Sequence, residues 1–148
     1  MASLRPLLPL SVPLLIAGLA CNTASKKAEQ AVALCEHAED RVLEVTIAFN
    51  DAKPNDPAFD QWRLNLRQAR AQWQEGAGGD QLILRCAQRM DQMLLGVTKL
   101  NQAIFRLKLE ANDPEKKQKA EAKEKLADDL TRELIATKTK IQGLLPTR

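Results

Sequence analysis

The chain predicts an all-α fold, an up-and-down antiparallel bundle of about four helices. Apolar residues recur along most of it at alternating steps of three and four, which stacks them on one face of a helix. Clusters of Pro, Gly, Asn and Asp break that rhythm at three places, and no alternation of period two survives beside it. Short connections between consecutive helices force antiparallel neighbours, hence the bundle.

The first helix carries Ala28, Ala31, Cys35, Ala38, Val42, Val45 and Phe49. Its seam is rich in alanine, so it can approach its neighbours closely. "NDAKPNDP", residues 50–57, ends it and opens the second helix. Asp56 is the expected N-cap there, and Pro57 takes the first helical position, where its missing N–H costs nothing. The second series is Phe59, Trp62, Leu66, Ala69 and Trp73, whose bulk faces the alanines. "EGAGGD", residues 75–80, leads into the third helix with Asp80 as the expected cap. That helix runs Ile83, Cys86, Met90, Met93, Val97, Leu100, Ile104, Leu107 and Ala111. "NDP", residues 112–114, repeats the cap-then-proline signal. The fourth series is Ala127, Leu130, Leu134, Thr137, Ile141 and Leu144, and Pro146 closes it.

The fourth helix opens differently. "PEKKQKAEAKEKLADD", residues 114–129, carries charge on every face, with Glu115–Lys119 and Glu121–Lys125 spaced to pair within a solvated helix. The third helix offers a wide apolar face opposite it, including Phe105 and Leu109. This reads as a hairpin tip projecting beyond the shorter first and second helices. Such a tip is either an ordinary exposed helix start or a docking point for a partner.

Before the helices comes a leader. The apolar run from Leu7 to Cys21 is 15 residues long and is broken by Pro9 and Pro13, whereas a membrane span needs about 20 apolar residues. A short positive start at Arg5, the apolar stretch and the small residues Gly18 and Ala20 match an export signal. "GLAC", residues 18–21, resembles the lipobox of bacterial lipoproteins. The resemblance implies a signal peptide of residues 1–20 and a mature domain of residues 21–148, with Cys21 lipidated as the first mature residue. It covers the leader alone, and Gly18 stands where that family usually has leucine. It also implies the periplasmic face of a bacterial cell envelope, anchored to the membrane through the N-terminal lipid. Asn22, in place of an inner-membrane Asp, points to the outer membrane. Plain secretion and an uncleaved anchor are the alternatives.

With Cys21 assigned to lipid, Cys35 and Cys86 remain as an even pair in an oxidising compartment, where a disulfide is expected. Two buried free thiols, acting as small apolar residues, are the other reading. Counting rise along the helices puts both cysteines at about the same height. A bridge needs Cα atoms within about 7 Å, so it requires the first and third helices to be direct neighbours. That arrangement is a three-helix core with the fourth helix laid alongside, or a core plus a long hairpin of the third and fourth.

Composition narrows the function. Removing residues 1–20 takes one basic residue, Arg5, and no acid from 22 basic and 19 acidic, which leaves a net charge of +2. That is too small and mixed to argue for nucleic acid, and aromatics at 3% provide no stacking platforms. "CEHAED", residues 35–40, holds the single histidine, yet on a helix Cys35 and His37 point apart and cannot share a metal. His37 falls on the solvent side. "GAGGD" lacks the Gly-Lys-Ser/Thr ending of a phosphate loop. No nucleophile–base pair can be assembled, so neither catalysis, a metal nor a cofactor is expected. The sequence thus points to a structural or protein-interaction module with a protein partner of unknown identity. The alternative is a periplasmic carrier of a small ligand or haem, using the interior near Trp62, Trp73, Met90 and Met93.

Overall fold

Four helices make up most of the described chain: α1 (Leu14–Phe49), α2 (Pro57–Gln74), α3 (Gly79–Glu110) and α4 (Pro114–Gln142). This computed structural model describes residues 14–51 and 57–147, with side chains described from Thr23 onward except 58–59, 62–63 and 66. Among the described residues there is no strand, and the fold is an all-α bundle. Most of the leader, the expected cap Asp56 and the side chains of Cys21, Phe59, Trp62 and Leu66 lie outside the described residues.

The helix ends follow local chemistry. α1 gives way after Phe49 to a turn in which Asp51 sits at φ +52, in the left-handed region that Asp tolerates better than most residues. Before it, the Asn50 N–H still donates to the Thr46 carbonyl at 3.1 Å. Gly76 and Gly79 supply the positive φ values of the α2–α3 turn, +69 and +54. α3 begins two residues earlier than expected, so Asp80 lies inside its first turn and Gly78 occupies the cap position without a side-chain hydrogen bond. Asp80 then acts through its charge at the positive helix end. Asp113 is a true cap, its carboxylate accepting the Glu115 N–H at 3.1 Å with Pro114 beside it. α4 ends at Gln142 and Gly143, ahead of Pro146.

Packing is unequal. α3 is the axis, lying along both α4 and α1, and α1 also touches α4, while α2 makes the thinnest packing among the described residues. The result is a three-helix core of α1, α3 and α4 carrying a long α3–α4 hairpin. It is α2, not the fourth helix, that lies alongside. The reason is in the side chains: Ala127, Leu130, Leu134 and Ile141 give α4 a sealed stripe, each at most 1% exposed. Among its described side chains, the 18-residue α2 meets its neighbours through polar groups of its last turns and through Trp73 at the edge of the core.

The core itself is the expected seam. α1 contributes Ala28, Ala31, Cys35, Ala38 and Val45, and α3 contributes Ile83, Cys86, Met90, Met93, Val97 and Ile104. Small residues on α1 let it press close to α3, whose longer side chains fill the space. Each large apolar side chain buried there contributes about 1.5–3 kcal/mol. Trp73 and Val42 pack against the edge of this cluster.

Two substitutions test the layout in urea denaturation. Leu134→Ala removes a side chain that is 1% exposed and should cost about 2–5 kcal/mol. Gly96 lies in mid-helix with open space where a Cβ would go, so Gly96→Ala should gain about 0.5–1 kcal/mol.

Candidate functional site

Two places concentrate chemistry: a buried polar layer between α1, α2 and α3, and the distal end of the α3–α4 hairpin.

The buried layer begins with the cysteines. Cys35 and Cys86 are both fully buried and meet across the α1–α3 contact, so the helices are direct neighbours and the thiols share one level. The expected bridge, however, is not formed: both are free thiols. The Cys35 Sγ stands 4.0 Å from the Cys86 carbonyl oxygen, directed toward backbone acceptor as well as sulfur. Its hydrogen bond to Cys86, burial and the negative charge of Glu39 push the Cys35 thiol well above the ordinary thiol range. The same hydrogen bond draws Cys86 downward. Cys35 keeps its proton, and thiolate chemistry is suppressed there.

One helical turn beyond Cys35, the Glu39 carboxylate is completely buried. It accepts Arg70 Nε of α2 at 2.5 Å and Arg89 Nε of α3 at 2.9 Å. Arg70 also reaches Asp40 at 2.7 Å and the Glu36 carbonyl at 3.1 Å, and Gln74 donates to Glu36 at 3.5 Å. Opposed charges keep the Arg70 guanidinium protonated against the pull of its burial. From α3, Arg85 donates to the carbonyls of Trp73 and Glu75, at 3.1 and 2.8 Å. It thereby supplies the cation that the last turn of α2 lacks. Three helices are tied at one buried carboxylate.

Sequence reasoning missed this clamp and gave Glu39 no role of its own. A signal was present. Glu39, Arg70 and Arg89 each stand next to a seam residue, Ala38, Ala69 and Met90. Those are the flanking positions at which opposite charges pair between helices.

At the distal end, α1 finishes beside Lys123 of α4, whose ammonium lies 4.9 Å from the centre of the Phe49 ring and 3.4 Å from Asp51. The hairpin continues past this point. Lys108 and Glu124 join its two arms at 2.8 Å, and Glu115–Lys119 forms the expected i,i+4 pair at 3.1 Å. Beyond the end of α1 a groove of about 320 Å³ is lined by Leu107, Glu110, Ala111, Lys116, Lys119, Ala120 and Lys123. Phe105, Leu107, Leu109 and Leu126 are all exposed in this part of the molecule.

The remaining sequence candidates are separated. His37 is exposed on α1, away from Met90 and Met93, which are buried in the seam. Among the described residues no group of three His, Cys, Asp or Glu is placed to hold a metal ion. No helix among them is long and apolar enough to cross a membrane. Comparison with protein-family models, curated proteins and solved structures gave no match.

Two measurements follow from the buried layer. Glu39→Gln strands two guanidiniums and should cost about 3 kcal/mol in urea unfolding, at the low end for a broken buried pair because Arg70 keeps Asp40. By contrast, Arg41→Ala, which breaks the exposed bridge to Glu133, should cost less than about 1 kcal/mol. In reduced native protein both thiols should react with a disulfide reagent orders of magnitude more slowly than after unfolding.

Proposed function

We propose that this is a lipid-anchored protein of a bacterial cell envelope, held to the membrane through Cys21, which works by binding another protein rather than by catalysis. The observation that carries the interaction reading is the exposed apolar surface of the hairpin. Phe105 and Leu109 are 58% and 69% exposed at the end of the molecule away from the leader. Core helices end in solvent-facing leucine and phenylalanine at a cost in solubility, and clusters of them mark contact sites.

The arrangement suits an anchored reach. α1 and α3 run in the same direction, so Cys21 and the start of α3 lie toward one end and the hairpin toward the other. α3 has 32 residues, which span about 48 Å. A lipid on Cys21 would thus hold the base near the bilayer and present the hairpin well away from it. The carrier reading is weaker, since Met90 is fully buried and the only histidine lies outside on α1.

Processing tests the anchor. Intact mass should show a diacylglyceryl group on Cys21, and Cys21→Ser should move the protein from the membrane to the soluble fraction. An unmodified thiol, or unchanged fractionation, rejects the anchor. Photo-cross-linkers placed in turn at Leu95, Leu109 and Ile135, all exposed, should trap a partner protein in envelopes. Absence of any protein adduct from all three rejects the interaction reading.

A further inference from the structure

Among the described residues nothing fills the groove at the end of the hairpin, which continues the seat that α1 occupies lower down. Its floor is built from seam positions. Leu107 and Ala111 extend the α3 series Val97, Leu100 and Ile104, and Lys116, Ala120 and Lys123 extend the α4 series backward from Ala127 in the same steps of three and four. Below this level such positions are buried: Val97 is 3% exposed, Ile104 1% and Ala127 0%. Above it Leu107 is 47% exposed, while the small Ala120 on the facing arm stays at 5%. The seam has not changed; its third helix has ended at Phe49.

The geometry points to a short acidic amphipathic helix of another protein as the occupant, laid where a longer α1 would lie. This rests on reading the protein as an interaction module and names the partner for it. The length fits a helix. Lys123 marks the end of α1, and nine residues separate it from Pro114 at the tip, about 14 Å or two to three turns. The shape fits too, because a space between two antiparallel helices is completed by a third along their seam. Charge selects the partner. Lys116, Lys119 and Lys123 line the groove against the single acid Glu110. Lys119 and Lys123 are already held by Glu115 and Asp51, and Lys116 has no ion-pair partner among the described residues. Carboxylates flanking an apolar stripe would meet these ammonium groups along the rim, while a basic helix would be repelled.

The test uses the full chain in dodecyl maltoside and fluorescein-labelled peptides of about 10 residues, matched to the groove. One peptide carries Leu and Ala at the seam spacing with Glu at the flanking positions. A second has Lys in place of every Glu, and a third is a scramble of the first. The Glu peptide should bind saturably, about tenfold or more tighter than the Lys peptide or the scramble. Lys116→Glu with Lys119→Glu should invert that preference, and Leu107→Glu should abolish binding. These side chains are at the surface, and far-UV circular dichroism checks each variant. Should the double variant lose its helix signal, Lys116→Glu alone serves, with loss of the Glu-peptide preference expected. Equal affinity for the Glu and Lys peptides, no saturable binding of the Glu peptide, or a preference unmoved by charge reversal would overturn the inference. So would a dimer in sedimentation that Leu107→Glu dissolves, or Lys116-dependent flotation of Cys21→Ser protein with phosphatidylethanolamine–phosphatidylglycerol vesicles. Protein adducts from the envelope cross-linkers, together with a failed peptide assay, would refute the groove and leave the broader function standing.

Discussion

The close approach of α1 to the α3–α4 hairpin governs the rest of the molecule. It exists because one face of α1 is Ala28, Ala31, Cys35 and Ala38, none more than 4% exposed. Small side chains let the helices come near enough for Met90 and Leu134 to fill the interior. The same closeness removes water from the flank of the seam, where Glu39 stands. A carboxylate cannot remain charged there without partners, so Arg89 from α3 and Arg70 from α2 must both reach it. A charge that α1 and α3 have trapped therefore helps to set the position of α2. Arg85 completes the attachment at the carbonyl end of α2.

Steps of three and four reveal which face of a helix is covered, but not which neighbour covers it. That is why the seams of α1, α3 and α4 were legible over most of their length, with Leu107 exposed and Ala87 and Ala120 buried as the exceptions, while the roles of α2 and α4 were exchanged. The charged opening of α4 hides a second half as apolar as any in the core. α2 has a seam of its own, yet it is short and ends in groups that ask for hydrogen bonds. The cysteines show a similar boundary. Rise along a helix gives height, and height was right. Whether two sulfurs aim at each other depends on rotamers and crossing angle, neither of which spacing records. The clamp was partly legible, since its three charges sit beside seam residues, but the separation of 50 positions between Glu39 and Arg89 left their pairing open. Cys21 rests on chemical signature alone, because lipidation is read by an enzyme from the leader and leaves no trace in helix packing.

The start of α4 joins these strands. A helix whose seam positions hold lysine, at 116 and 123, weakens its own packing, for an apolar residue there would close the groove against α3. Lys123 is accounted for by the end of α1, where it covers the Phe49 ring and meets Asp51. Lys116 has no such task within the described chain. An apolar seam left open at an exposed tip would draw two copies together, and lysine at its centre opposes that by charge repulsion. The repulsion ends only when carboxylates arrive with an apolar stripe of their own. A tip built this way stays soluble while empty and discriminates by sign when filled, properties that neither an all-leucine seam nor a purely charged helix start would combine.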